Sequence, residues 1–359
     1  MKKYIFISVF ILAVVIYFFV NKTSESLLTK TIKDTTTKKE TEINITSQQK
    51  EFISTISIDY LRDLKIDSQA PVIEKELASG SNYKRYIASY ISEGNKIYGL
   101  LTVPNQNPPE EGFSAIVFNH GYIPPTQYVT TEKYVAYVDS LARNNFVVFK
   151  IDLRGHGLSG GTAVGSYFSS GYTIDAISAV KSLQKLEYVN KDKIGMWGHS
   201  MAGNLVLRAM LVNKDIKAAS IWAGAVYSYK DFYKYRLSDN SYVRRDRDPH
   251  YDTRDMNENF LSEIQKFRDE NSVVDFENKF WKSISLTENI SYLNYPVQLI
   301  HSTDDTVVNV NYARDLKNVF ENNNKSHEYF EYRGGGHNID SPYFEQAMKQ
   351  TVEFFKKNL

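Results

Sequence analysis

A serine hydroxyl attacks a carbonyl carbon at neutral pH only when a base takes its proton and a carboxylate orients that base. The chain presents a serine suited to this in Trp197-Gly198-His199-Ser200-Met201-Ala202-Gly203. An apolar run from Lys193 to Trp197 precedes it, and an amphipathic run from Asn204 to Leu211 follows. This succession predicts strand, sharp turn and helix with Ser200 at the turn, the nucleophile-elbow pattern. Such a turn forces a positive φ on the serine, which only small residues two places to either side accommodate. Gly198 and Ala202 hold those places. Ala202 stands where the G-x-S-x-G pattern has its second glycine, so one methyl group must fit between helix and strand.

The base and the carboxylate have candidates further along. His301-Ser302-Thr303-Asp304-Asp305-Thr306-Val307-Val308 closes a predicted strand and leaves an acid, Asp304 or Asp305, on the following loop. Tyr332-Arg333-Gly334-Gly335-Gly336-His337 closes the last predicted strand, with glycines that let the loop bring an imidazole back toward the serine. Serine, acid and histidine thus fall in that order on loops at one edge of a sheet. The developing oxyanion needs two donors, and backbone amides serve because they are already oriented. Met201 N–H, directly after the nucleophile, is one expected donor. Tyr122 N–H, in Phe118-Asn119-His120-Gly121-Tyr122 after an earlier strand, is the other. His199 is expected to point to the other side of the elbow as a structural residue, and His301 to be a packed strand-end residue. His250 and His327 fall in an insertion and a surface loop, and the Asp152–Gly160 run, including His156, supports the site structurally.

The elements that position these residues are read from periodicity. A hairpin is expected from Arg85–Ser92 and Ile97–Val103. Strands follow at Ala115–Phe118, Phe146–Ile151, Lys193–Trp197, Ala218–Ala223, Val297–Ile300 and Glu328–Tyr332. Helices are expected at Phe52–Leu64, Thr131–Arg143, Thr173–Leu186, after Ser200, at Tyr312–Phe320 and at Tyr343–Lys356. Alternating strands and helices of this length imply an α/β fold, a mostly parallel central sheet with helices on both faces. Ligands of such sheets bind at the carboxyl ends of the strands, where Ser200 falls. An insertion at about 227–285, dense in charge and aromatics and including a helix at Asn259–Asn271, is read as a cap over the site. The domain itself is assigned to residues 81–359, with a helical segment at 51–80.

The N-terminus has a different character. Lys2-Lys3 precedes an apolar run from Tyr4 to Val20 that is broken only by Ser8. As a helix it would be roughly 25 Å long, at the short end for crossing a membrane. The lysine pair would keep the N-terminus in the cytoplasm and send the remainder outward. Residues 1–20 are therefore read as a single-pass membrane anchor or signal, 21–50 as a flexible tether, and the catalytic domain as extracytoplasmic. Secretion after cleavage near Ser26 is the alternative. The formal net charge of +1 over 359 residues supplies no general argument for a nucleic-acid partner. The absence of cysteine excludes thiol nucleophiles, cysteine zinc sites and disulfides. No cofactor and no metal are expected.

Taken together, the motifs resemble the α/β-hydrolase superfamily, and within it the catalytic domain of prolyl-oligopeptidase-like serine hydrolases. The residues that carry the resemblance are Ser92-Glu93-Gly94-Asn95-Lys96-Ile97-Tyr98-Gly99 with Pro104, His120-Gly121-Tyr122, and Asp152 through Ser159. The elbow, the Asp305 loop and Gly336-His337 complete the set. It spans about residue 80 to the C-terminus except the insertion, and it prefers Asp305 over Asp304, leaving Asp304 to cap the turn. Ala202 replaces the family's glycine, and Ser302 stands where the family has glycine before its acid loop. The residues before 80 are read as anchor, tether and helical segment, without the β-propeller that accompanies this domain in the peptidases. The resemblance implies a serine hydrolase that cleaves a small-molecule ester or a peptide bond through an acyl-enzyme, peptidase-like ahead of carboxylesterase. A non-catalytic surface binding protein and an acyltransferase are the competing readings.

Overall fold

The computed structural model describes residues 55–163, 166–237, 258–269 and 272–359. The expected anchor and tether, together with residues 238–257 of the insertion and His250 among them, lie outside the described residues. Among the described residues nine strands are formed: β1 (Val72–Leu77), β2 (Tyr83–Ser92), β3 (Asn95–Pro104), β4 (Phe113–Asn119), β5 (Val147–Ile151), β6 (Val189–His199), β7 (Ile216–Trp222), β8 (Val297–Ser302) and β9 (His327–Tyr332). They make one sheet in the order β1-β2-β3-β5-β4-β6-β7-β8-β9. β1, β2 and β3 run antiparallel to their neighbours, and every pairing from β5 to β9 is parallel. The β2–β3 hairpin closes over Glu93 and Gly94, both at positive φ, the geometry a two-residue turn needs to match strand twist.

Inner parallel strands such as β4 and β5 are mostly apolar because both faces are covered. β5 (Val-Val-Phe-Lys-Ile) is buried at every position. Its alternate side chains enter two separate cores, Val147 and Phe149 on one face and Val148 on the other, as a period of two requires. The first core is packed by α1 (Ile58–Asp63), α3 (Gly171–Leu183), α4 (Ala202–Val212) and α8 (Asn311–Asn322). The second lies under α2 (Val135–Arg143) and α9 (Phe344–Asn358). A buried ion pair joins the loop after β5 to α3. Arg154 Nη2 lies 2.7 Å from Asp175 Oδ1, with side chains 5% and 0% exposed, and Ser92 Oγ donates to the same carboxylate.

Three local expectations are corrected. Within the described residues the N-terminal helix occupies Ile58–Asp63, capped by Ser57, residues 52–54 of the expected span lying outside them, and the 51–80 segment also contains the edge strand β1. Solvent-facing charges at Glu74, Lys75 and Glu76 break the apolar alternation there, as befits an exposed sheet edge. The helix expected from Thr131 starts at Val135, because Tyr134 adopts a left-handed conformation and ends the preceding turn. His327 opens β9 rather than sitting in a loop.

The described part of the insertion forms α5 (Tyr229–Tyr235), α6 (Glu258–Arg268) and α7 (Lys279–Ile284). Fully buried Trp281 packs its ring against Tyr229, Phe267 and Phe276, and its indole N–H donates to Glu263. These aromatics belong to the first core, so this portion is part of the body rather than a solvated excursion. Leu237, the last described residue before the gap, pairs with Val308 on the loop that carries Asp305.

Candidate active site

The elbow forms as its spacing predicts. β6 ends at His199, Ser200 takes φ 56°, and α4 begins at Ala202. Close packing enforces the turn. A Cβ on Gly198 would lie 2.6 Å from Val206 Cγ2 and 2.9 Å from Ala202 O. On Gly203 it would lie 2.6 Å from Gly224 Cα. The methyl of Ala202 fits and is fully buried.

Four donors converge on the carboxylate that the acid loop carries. Asp305 Oδ1 accepts from the amides of Val307 and Val308, at 2.8 and 2.9 Å. Its Oδ2 lies 2.8 Å from His337 Nδ1 and 3.2 Å from His301 Nε2. Burial alone would raise the Asp305 pKa, but the hydrogen bonds from His301 and His337 outweigh it and hold the carboxyl well below the usual range. An ionised Asp305 only accepts, so Nδ1 of His337 carries the proton and Nε2 presents its lone pair. His301 is therefore more than a packed strand-end residue. Its Nε2–H is shared between the carboxylate and Val308 O, at 3.2 and 3.0 Å, making it a second imidazole that orients the acid. A histidine three places before an Asp-Asp pair is the only sequence signal for this.

Asp304 takes the structural part expected of it. Its Oδ1 accepts from the Gly336 amide at 2.9 Å and from the Ser302 hydroxyl at 2.5 Å. Ser302 sits where the resemblance has glycine, and it also bonds Gly334 O at 2.8 Å. The acid loop and the histidine loop are thereby stitched together.

His199 departs from expectation. Rather than pointing away from the site, its ring lies 4.6 Å centroid to centroid from that of His337, and its Nε2 bonds His337 O at 2.9 Å. This contact places the histidine loop beside the elbow. On the other flank, a Cβ on Gly121 would lie 3.1 Å from Ser200 Cβ, so the loop after β4 runs directly against the nucleophile. The Gly121 amide is engaged by Tyr134 Oη at 2.9 Å, and Tyr122 follows on the same loop. Met201 opens the turn into α4 with φ −45°. His156 packs behind this loop, bonding Ile123 O at 3.2 Å, in keeping with a supporting role. The three chemical groups and both expected amides thus belong to loops at the carboxyl ends of β4, β6, β8 and β9. Among the described residues no group of three His, Asp or Glu side chains is arranged to hold a metal ion.

This sheet, with a strained serine between β6 and α4 and the acid and histidine loops after β8 and β9, defines an α/β-hydrolase, and the protein is a serine hydrolase. Residues 112–340 match the family described as serine aminopeptidase, S33, and the chain belongs to it. Dipeptidyl peptidase 8 of Mus musculus and of Homo sapiens are each 30% identical over 159 residues. That stretch is 42% of this chain but only 17% of those relatives. Among solved structures, acetyl xylan esterase 1 from Thermoanaerobacterium sp. JW/SL YS485 superposes with a TM-score of 0.58 at 16% identity, covering 83% of this chain and 90% of that one. Pyrococcus horikoshii acylaminoacyl peptidase gives 0.59 at 18% identity, covering 78% of this chain and 42% of that one. At such identities the likeness concerns the fold.

Proposed function

We propose that this hydrolase cleaves amide bonds of short peptides through an acyl-enzyme on Ser200. The observation that carries the reading is the 2.8 Å contact between His337 Nδ1 and buried Asp305, on a loop bonded to His199, the residue before a serine at positive φ. In this assignment Ser200 Oγ attacks the carbonyl carbon while His337 Nε2 takes its proton. Asp305 stabilises the imidazolium that results, and the amides of Met201 and Tyr122 hold the oxyanion. Collapse expels the amine, which receives the proton from His337. Water, deprotonated by the same ring, then attacks the acyl carbon, and collapse frees the carboxylic acid and returns Ser200 to its starting state. Family membership across residues 112–340 and the dipeptidyl peptidase relatives support the amide preference.

A second reading, a carboxylesterase of the same machinery, is favoured by one observation. The acetyl xylan esterase is matched over 90% of its length, whereas the peptidase is matched over 42%. Short acyl esters assayed beside aminoacyl and peptidyl amides separate the two. Turnover of the amides as well as the esters, lost in Ser200→Ala, supports the peptidase; esterolysis alone sinks it.

The catalytic assignment is tested with Ser200→Ala. Turnover is expected to fall by roughly four to six orders of magnitude, about 5–8 kcal/mol of barrier, with the melting temperature unchanged. A fluorophosphonate should label the wild type once and the variant not at all; a labelled variant removes Ser200 from its role. We further propose that residues 1–20 anchor the protein in the membrane with the catalytic domain outside. Membrane fractionation and mass determination of the mature N-terminus check this, and a soluble protein beginning near residue 27 would point to cleavage.

A further inference from the structure

We propose that Tyr134 and His199 are positioning residues that fix the oxyanion loop and the His337 loop against the nucleophile through one directed chain of hydrogen bonds. The proposal rests on the assignment of Ser200, His337 and Asp305 given above. The chain runs from Gly121 N–H to Tyr134 Oη at 2.9 Å, on to His199 Nδ1 at 2.8 Å, and from His199 Nε2 to His337 O at 2.9 Å. Its ends decide its direction. A backbone amide only donates and a carbonyl only accepts, so Tyr134 accepts from Gly121 and gives its own proton to Nδ1. His199 is then the Nε2–H tautomer and donates to His337.

Sheet order explains why such a tie is needed. Ser200 follows β6 and His337 follows β9, three strand positions away, with β7 and β8 between them. At about 4.8 Å per position the histidine loop must reach back over roughly 14 Å. Asp304 and Asp305 hold it from the side of β8. From the nucleophile's side it is held by His199, and α2 adds a second tie, Tyr137 Oη to Asn338 O at 2.8 Å. The Tyr134 ring is locked in turn, 5.5 Å from Phe118 and 5.4 Å from Tyr137. A Cβ on Gly121 would meet Tyr134 Oη at 2.8 Å, Ser200 Cβ at 3.1 Å and His199 Nδ1 at 3.2 Å, so these groups converge on one point.

The chain also requires a neutral His199. Burial, then the charge of His337, pushes its pKa down to about 3. A cationic ring at 4.6 Å would oppose formation of the His337 imidazolium; the neutral ring holds the loop without that repulsion.

Tyr134→Phe deletes the hydroxyl and keeps the ring, His199→Ala removes both hydrogen bonds, and His199→Gln keeps an N–H to offer the His337 carbonyl. With a short p-nitrophenyl ester as probe, the first two variants should lose about 10- to 100-fold in kcat with KM within about twofold. Their rate of fluorophosphonate labelling should fall by the same factor, while the end point stays at one label per chain. His199→Gln should recover most of the loss. Wild-type kcat in both Tyr134→Phe and His199→Ala overturns the proposal. So does a reduced labelling end point with unchanged turnover per labelled site, the mark of a merely structural role. If the wild type itself is not labelled at Ser200, the catalytic assignment falls with it; a labelled wild type with unaffected variants sinks this inference alone.

Discussion

The elbow and the histidine loop deliver their reacting groups by different means. Ser200 is set by contact: Gly198 against Val206, Gly203 against Gly224, and a buried Ala202 leave its backbone no other course. His337 sits on a loop of three glycines followed by a short 3-10 turn. That loop is set by discrete polar ties from Asp304, Asp305, His199 and Tyr137. A nucleophile that must hold a strained φ benefits from steric confinement, which yields only when the core yields. A base that must gain and lose a proton is better held by hydrogen bonds, each removable without unfolding the domain. Damage to the first region should therefore register in stability, and damage to the second in rate.

Among the polar ties of the histidine loop, Asp305→Asn should show the largest rate effect, a fall of about 10³- to 10⁴-fold in kcat, since the amide no longer enforces the His337 tautomer. Steady-state kinetics at neutral pH measure it, and a loss under tenfold would deny Asp305 its place. Gly198→Val probes the opposite region. The added carbons meet Val206 and the Ala202 carbonyl, and chemical denaturation should show a loss of about 1–3 kcal/mol or more. A full-stability variant would mean that the elbow is not sterically set. Asp304→Ala leaves the Gly336 amide without its acceptor and the Ser302 hydroxyl with Gly334 O alone. An activity loss of about tenfold with a stability change of only about 1 kcal/mol is expected; a large fall in stability with intact kcat would contradict the contrast.

The smallest effect is a pH dependence of stability in which two buried acids oppose one another. Asp305 titrates below its unfolded value, so its contribution is complete above about pH 4 and is lost as pH falls through the folded value. Asp152 runs the other way. Burial raises it to about 6 against the pull of Thr130, Lys150 and Tyr128. Its contribution is complete below about pH 4 and is lost as pH rises through about 6. Denaturation from pH 4 to 7 should show Asp152→Asn gaining on the wild type as pH rises; a constant difference would contradict the assignment.

Much of this architecture was legible in the residues. Parallel strands such as β5 and β8 announce themselves as short apolar runs because both faces are buried. Ser200, Asp305 and His337 stand out because the sharp turn and strand-end loops demand particular residue types at fixed places. β1 escaped because an exposed edge selects for charge and erases the apolar alternation. His199 and His301 escaped for another reason. A buried imidazole is defined by its partners: His337 O lies 138 residues from His199, and Asp305, though only 4 residues from His301, is reached by a ring that the same spacing would equally leave merely packed. The start of α2 was misplaced by one backbone conformation at Tyr134, and that residue is the middle of the chain joining the two loops.

The meeting of Gly203 with Gly224 has an electrostatic consequence. With no side chain between them, the first turn of α4 lies flush against the segment that follows β7, and the Gly203 amide bonds Ser200 O at 2.8 Å. An eleven-residue helix therefore begins right beside the serine. Its amino end carries roughly half a positive elementary charge from aligned peptide dipoles. Negative charge arising at Ser200 is met there by a field that exists before any substrate arrives. Any side chain at position 203 would push that field source outward.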